Sequence, residues 1–422
     1  MASLKRNIVA LFFMQGINYL VPLLTLPYLT RTLGVYEYGA MNIGLSIIQY
    51  AILLTNFGFN LSTTKKISLN RHSPQKINEI FWETIYSKSL LALVSLFAMT
   101  LVIIQIDTVY EVRWIILALS IQVIAAIITP DWFFQGLEKV SQVSIITSCC
   151  KLFTIPLLFW MVRSPADVVL ASAIQSATIL LAAILALYLV SKENIIKKAK
   201  INIHGIKNAL YESLPLFIGT LAISVYNAST PLILGLVNTF EEVGYYSASF
   251  RIRGALTGLF LVLGQVFYPR ASKLFADNPT EGYLFVRKLI FYLFPFAVLG
   301  SIFFYYIVPM LAPLVLGEEF SHTQTILKTM APMIILTPYA VIFANYLLLP
   351  LGYKKPYFIM PIVTAILHIP YTILLSSKYG AIGAGYSILI TEIISCLGLF
   401  IICLKLTDIK KYLKPSRAIH VK

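Results

Sequence analysis

Charge is what this sequence has least of. Of its 422 residues only 12% are Asp, Glu, Lys or Arg, while 58% are hydrophobic. A soluble core has no room for that much apolar surface, so lipid is the solvent for most of the chain. Histidine is limited to five residues and cysteine to four, Cys149, Cys150, Cys396 and Cys403. None has metal-ligand spacing and the cysteines all fall inside apolar runs, which excludes a zinc site and a disulfide framework and leaves them as small packing residues. The HExxH, GxxxxGK[ST] and GxSxG signatures are missing as well, so no metalloprotease, P-loop or serine-hydrolase chemistry is indicated and no cofactor is expected. No loop on the outer side is long enough to be a domain with catalytic Asp, Arg or His, which counts against a membrane glycan polymerase or ligase. A cleavable signal peptide is not expected, because the first apolar run is too long and lacks an A-x-A-like site.

What is present is a series of about twelve apolar spans of roughly 20 to 27 residues, the length that crosses ~30 Å of hydrocarbon at 1.5 Å per residue. The fold class expected is therefore an all-α polytopic membrane protein with about 12 transmembrane helices. A lysine-rich interval over 191–208 is the longest polar one and divides the chain into six-helix lobes at 1–200 and 201–422. Alternating the spans puts Lys5, Arg6, Lys65, Lys66, Arg71, Lys139, the cluster Lys192 to Lys207 and the tail Lys405 to Lys422 on one side. Basic loops stay cytoplasmic, so both termini are expected inside. The net charge of +15 is mostly this topology signal. It speaks against nucleic acid as a partner, because the basic residues are scattered over short loops instead of forming one patch.

The stretch from Met14 to Gly39 stands out among the spans, since it carries Gly16, Asn18, Pro22, Thr25, Pro27 and Arg31. Each proline removes a backbone hydrogen bond, which makes Pro22 and Pro27 candidate bending points. The groups freed in hydrocarbon must be satisfied by neighbouring helices or by water, and interrupted spans of this kind line transporter pathways. Pro27 followed by Glu37-Tyr-Gly39 has a counterpart in Pro231 followed by Glu242-Val-Gly244, a faint repeat between the two halves that adds Pro231 to the bending points.

Charges inside spans are the remaining signal. Lys88, Lys151, Arg251 and Arg253 lie well within apolar runs, where a charge costs a few kcal/mol or more unless it faces a polar interior. At ~12 Å depth Lys88 is nearly able to snorkel out, whereas Lys151 at ~15 Å is not. Arg251 and Arg253 point about 200° apart, and Arg253 shares its face with Tyr246, Ser249 and Thr257, which favours it as the inward one. The intramembrane acids are Glu83, Glu212 and Glu392, with Asp131 at the inner end of span four. They either pair with the cations or couple transport to ions, as does His368 if it relays protons; a neutral packing histidine is the commoner role. With cations in the majority, an anionic ligand such as a phosphate or diphosphate is the natural guest. An exporter of cationic drugs would need an acidic or aromatic cavity instead, and a pure scaffold would not need buried cations.

These residues form a pattern. Gln15-Gly-x-Asn18-Tyr19-Leu-x-Pro22-Leu-Leu-Thr25-x-Pro27-Tyr28-Leu-x-Arg31-x-Leu-Gly34 resembles the opening of the Wzx-type O-antigen flippases of the multidrug/oligosaccharidyl-lipid/polysaccharide exporter superfamily. Gly58-Phe59-Asn60, Phe81-Trp82, Ser87-Lys88, Trp132-x-Phe134-Gln135-Gly136-x-Glu138-Lys139, Ile252-Arg253, Tyr268-Pro269-Arg270 and Thr391-Glu392 follow in the same order. The resemblance implies two six-helix lobes facing each other across a central cationic cleft. It implies a flippase carrying a polyprenyl-diphosphate-linked oligosaccharide from the inner to the outer leaflet of the bacterial cytoplasmic membrane, for O-antigen or capsule assembly. Alternating access driven by H+ or Na+ goes with it, as do membrane lipid and the polysaccharide polymerase machinery as partners. By matching positions the cleft cations are Arg31, Lys88, Lys151 and Arg253; Arg251 has no counterpart. The residues themselves offer Glu83, Glu392 and His368 as coupling or ion-pair candidates.

Overall fold

The computed structural model describes residues 2–197 and 202–413, with their side chains except those of 2–15, 18, 19, 227 and 259–266. The side chains of Lys5, Arg6, Gln15, Asn18 and Tyr19, residues Lys198 and Lys200, and the tail from Lys414 onward therefore lie outside the described residues.

Among the described residues every regular element is helical, as expected of an all-α polytopic chain. The first helices are α1 (Ala2–Asn56), α2 (Phe59–Leu69), α3 (Pro74–Gln105), α4 (Asp107–Glu111), α5 (Arg113–Ile128), α6 (Asp131–Gly136), α7 (Val140–Met161) and α8 (Val168–Lys192). They are followed by α9 (Ile203–Val237), α10 (Phe240–Asp277), α11 (Pro279–Leu316), α12 (Thr323–Met330), α13 (Met333–Val341), a π-helical stretch (Ile342–Leu348), α14 (Lys354–Leu406) and α15 (Ile409–Leu413). Among the described residues eight helices are long and apolar enough to cross a membrane, or nine if the bent pair Glu318–Met330 and Met333–Leu348 forms one span. Two of the helices are double-length, so the number of helices and the number of crossings differ. Each of the two breaks at a glycine: Gly34 in α1 (φ 72°, ψ 177°) and Gly380 in α14 (φ 55°, ψ −135°). A side chain at either position would be strained by the positive φ, which makes glycine the residue for such a break. The prolines Pro22 and Pro27 sit within the helical run before Gly34. Thr25 and Thr30 beside them return their hydroxyls to the carbonyls of Val21 (3.0 Å) and Leu26 (2.9 Å).

The helices form two compact units, Met1–Ser247 and Ala248–Lys422. In the first, α5 packs on α8, α1 on α5 and α7, and α9 on α1, α2 and α3. In the second, α11 packs on α12 and α13, and α14 on both of these. The Glu-x-Gly repeat has a packing role in the first unit. A Cβ on Gly39 would lie 1.8 Å from the carbonyl oxygen of Phe240, and one on Gly244 would lie 2.4 Å from that of Val35. Only glycine lets these two backbones approach so closely.

Aromatics knit each core. In the first unit Ile67, Phe81, Trp132, Phe133, Phe134 and Val143 are buried together. The Trp132–Lys139 segment is thus a structural buttress: Gly136 sits flush against Ile67, its carbonyl accepts from Arg71 Nε (2.8 Å), and Arg71 also pairs with Glu138 at 2.8 Å. In the second unit Val286, Phe343, Tyr346, Leu347, Leu399 and Cys403 pack together. The cysteines are free thiols, buried at Cys150, Cys396 and Cys403 and exposed at Cys149. The outside is apolar too. Leu93, Phe97, Trp160, Phe296 and Met310 are each about two-thirds exposed, as suits a chain surrounded by lipid.

Candidate functional site

In the first unit the sequence explains the position of its most deeply buried cation. The α5 helix ends just before Pro130, which has no N–H. The carbonyl of Ala126, four residues earlier, therefore has no intrahelical donor. Lys88, on α3, supplies one: its Nζ donates to the Ala126 oxygen at 2.7 Å, and the side chain is 1% exposed. A cation is also favoured there because the carbonyl end of a helix carries partial negative charge. Snorkelling is thereby settled in favour of an inward lysine. After Pro130 the chain restarts as α6 with Asp131 in its first turn, where a carboxylate is favoured for the opposite reason. Asp131 lies within Coulombic reach of Lys88 and Lys151, so one carboxylate serves two cations. Lys151 is half-buried on α7, and Ser144 and Ser148 share its face one and two turns back. Both serine hydroxyls are buried without a partner among the described residues. Further along, Gln122 donates to Ser176 (3.2 Å) and Thr154 to Thr178 (2.8 Å), so polar contacts join α5, α7 and α8.

Glu83 is placed differently. It is half-buried near the start of α3, where its Oε1 accepts from Asn202 at 3.3 Å and packs against Gly205 of α9. Lys66 is close enough to act on it, while pairing directly with Glu212 at 2.9 Å. Five residues separate it from Lys88, which turns it about 140° around the helix. Arg31 is exposed on α1. Its neighbour Tyr28 ties α1 to the end of α7, donating to the Val162 carbonyl at 2.5 Å and stacking on Phe159.

In the second unit Arg253 is the inward arginine, 6% exposed, and Arg251 is half-buried. Arg253 Nη1 lies 3.6 Å from Glu392 Oε1 and 3.5 Å from Met333 Sδ, and its guanidinium rests 4.6 Å from the centre of the Phe250 ring. Its Nε has no hydrogen-bond partner among the described residues. The Thr391-Glu392 dipeptide serves two networks. Glu392 faces Arg253, while Thr391 gathers His368 and Tyr371, with His368 Nδ1 2.8 Å and the Tyr371 hydroxyl 2.5 Å from its Oγ1. Thr391 itself donates to the Ser387 carbonyl at 2.9 Å, so its oxygen accepts from both of the others. His368 Nε2 lies 3.2 Å from Thr372 Oγ1. The imidazole is fully buried, and both of its ring nitrogens face hydroxyls.

The four cations named from sequence thus divide. Lys88 and Lys151 both lie within Coulombic reach of Asp131, Arg253 pairs with Glu392, and Arg31 is exposed. Asp131 is the added member of this group, and its signal in the sequence is an acid directly following a proline at the end of an apolar run. Among the described residues no group of His, Cys, Asp and Glu could hold a metal ion.

With this geometry in place, comparison with known proteins is informative. Residues 4–275 match a family model described as polysaccharide biosynthesis protein. A protein of Escherichia coli (strain K12) bearing the provisional name O-antigen transporter is 31% identical over 393 residues, covering 92% of this chain and 94% of that one. A Shigella dysenteriae protein of the same provisional name is 32% identical over 397 residues, covering 93% and 98%. Among solved structures, the inward closed conformation of the lipid II flippase MurJ is similar with a TM-score of 0.73 at 15% identity, covering 96% of this chain and 88% of that one. An inward-facing multidrug resistance MATE family transporter of the MOP superfamily is similar with a TM-score of 0.69 at 14% identity, covering 92% and 95%.

Proposed function

Because the chain belongs to the family of polysaccharide biosynthesis proteins and has the fold of membrane transporters, we propose that it is an O-antigen flippase. It carries a polyprenyl-diphosphate-linked oligosaccharide repeat unit from the inner to the outer leaflet of the bacterial cytoplasmic membrane, with both termini in the cytoplasm. The observation that carries this reading is the set of cations held inside apolar helices. Lys88 and Lys151 share Asp131, and Arg253 keeps one nitrogen without a partner. A diphosphate cannot enter hydrocarbon alone, and fixed cations within the membrane lower that barrier. Arg suits it by bidentate bonding and Lys as a point charge. The substrate's anionic oxygens would take up the charge not neutralised by Asp131 in one lobe and compete with Glu392 in the other. Lobes at 1–200 and 201–422 would move by alternating access, with Pro22, Pro27 and Pro231 as bending points and an H+ or Na+ gradient acting through the acids Glu392 and Glu83 or through His368.

The test is headgroup translocation in proteoliposomes, using a fluorescent polyprenyl-diphosphate oligosaccharide and a membrane-impermeant quencher. Wild type is expected to move the probe, and Lys151→Ala and Arg253→Ala to slow it at least tenfold while remaining folded. A wild-type protein that leaves the probe in its original leaflet sinks the reading.

A further inference from the structure

The second unit contains a cavity of ≈ 200 Å³ between α10, α11, α13 and the π-helical stretch that follows it. Leu293, Phe296, Val341 and Tyr346 line it, together with Thr257 and Thr337. Phe296 and Tyr292 at its rim are 68% and 71% exposed, so the cavity opens at the apolar surface of this unit. The π stretch, a feature frequent at functional sites, contributes Ile342 and Tyr346 to the wall.

Its polar end meets the ion pair already described. Thr257 Oγ1 donates to the backbone carbonyl of Arg253 at 3.1 Å, and Thr337 lies beside Glu392. Thr257 therefore lines the apolar hollow and stands one helical turn from Arg253, whose Nε has no hydrogen-bond partner among the described residues. That juxtaposition fits a molecule with an anionic group joined directly to a hydrocarbon chain. The hollow is smaller than the roughly 300–1,000 Å³ of a pocket that encloses a whole drug-sized ligand, so it suits a segment of a longer chain.

We propose that this cavity seats the isoprene units nearest the diphosphate of the polyprenyl carrier while Arg253 takes the diphosphate itself. The proposal rests on the flippase reading and adds that the lipid tail is held, next to its headgroup, by the protein. The charge of the diphosphate is what distinguishes this occupant from a membrane phospholipid: displacing the Glu392 carboxylate from Arg253 favours a multiply charged anion over a zwitterion or single phosphodiester.

The test uses the full chain in phosphatidylethanolamine/phosphatidylglycerol nanodiscs and a polyprenyl-diphosphate oligosaccharide bearing a diazirine on the isoprene unit nearest the diphosphate. After irradiation, labelled peptides covering 289–296 and 337–346 are expected, with labelling reduced at least tenfold by unlabelled polyprenyl diphosphate and unchanged by added phosphatidylglycerol. Leu293→Trp and Val341→Trp, which fill the hollow, should each lower labelling at least tenfold and leave binding of a tail-less diphospho-oligosaccharide unchanged. Should either variant misfold, wild-type labelling decides alone. Label spread over lipid-facing positions, or competed equally by phosphatidylglycerol, overturns the proposal. Translocation of the same probe separates the two ideas: transport by wild type with label elsewhere removes the cavity and keeps the flippase, whereas absence of transport removes both.

Discussion

The two units answer the same problem, a cation inside an apolar helix, in different ways. In the first, Lys88 is held by a backbone carbonyl that Pro130 leaves without a donor, and Asp131 is shared between Lys88 and Lys151. In the second, Arg253 faces one carboxylate, Glu392, at 3.6 Å, with a sulfur and a ring as its other neighbours. The first arrangement has a cation to spare; the second is matched one to one. Removing a cation therefore has different consequences in the two units. In the first it leaves a carboxylate that still has a partner, and in the second it strands a buried charge.

The largest effect expected is accordingly in the second unit. Arg253→Met leaves Glu392 buried and uncompensated, and breaking a buried pair in this way costs about 3–5 kcal/mol. The double variant Arg253→Met/Glu392→Gln removes both charges and should regain most of that loss. Thermal unfolding in detergent, read for both singles and the double as a mutant cycle, checks it. A double variant as unstable as Arg253→Met alone would mean that the pair is not matched one to one and would erase the contrast between the units.

A smaller loss is expected at the Thr391 hub. Thr391→Val keeps the shape and removes the oxygen that accepts from both His368 and Tyr371. Leaving buried donors unpaired costs about 1–3 kcal/mol, while Thr391→Ser should retain most of the stability. The midpoint of unfolding for the two variants measures this. If the contrast drawn above is right, Thr391→Val also leaves the Arg253–Glu392 coupling energy intact, since the hub and the ion pair use different atoms of adjacent residues.

Much of this was legible in the sequence, and the limits of legibility have physical causes. A charge deep in an apolar run is costly unless it faces a polar interior, so depth marks Lys151, whereas Lys88 is shallow enough for snorkelling to compete. The choice of Arg253 over Arg251 followed from the residues sharing its face. Partners were harder. That Ala126 lacks a donor is readable in principle, since any carbonyl four residues before a proline in a helix does, but that Lys88 reaches it depends on how α3 packs on α5. The hydrogen bonding of His368 depends on Thr391 reaching it across a broken helix, which no local pattern announces. The break itself falls at Gly380, as the one in α1 falls at Gly34, whereas sequence pattern points to prolines for bending. The Trp132–Lys139 segment, distinctive as a motif, turned out to form core and surface ion pairs, because bulky aromatics at a helix end pack as readily as they bind.

The smallest effect separates the units most cleanly. Lys88→Met removes a buried ammonium and substitutes an apolar chain of similar length. Against it stands the loss of the hydrogen bond to Ala126, a net contribution of about 1 kcal/mol, or up to 3 if the carbonyl stays dry and unpaired. In its favour is the end of the desolvation penalty for the ammonium, which in buried ion pairs is large enough that apolar replacement is often neutral or stabilising. Asp131 does not become an orphan, because Lys151 remains within reach. The balance is a stability change within about 1 kcal/mol of zero, several-fold less than at Arg253. Translocation should nonetheless fall at least tenfold, since the positive charge available to an anion in that unit is gone. A Lys88→Met protein that unfolds as readily as Arg253→Met would show that Asp131 depends on Lys88 alone, and one that transports at the wild-type rate would confine the role of Lys88 to capping α5.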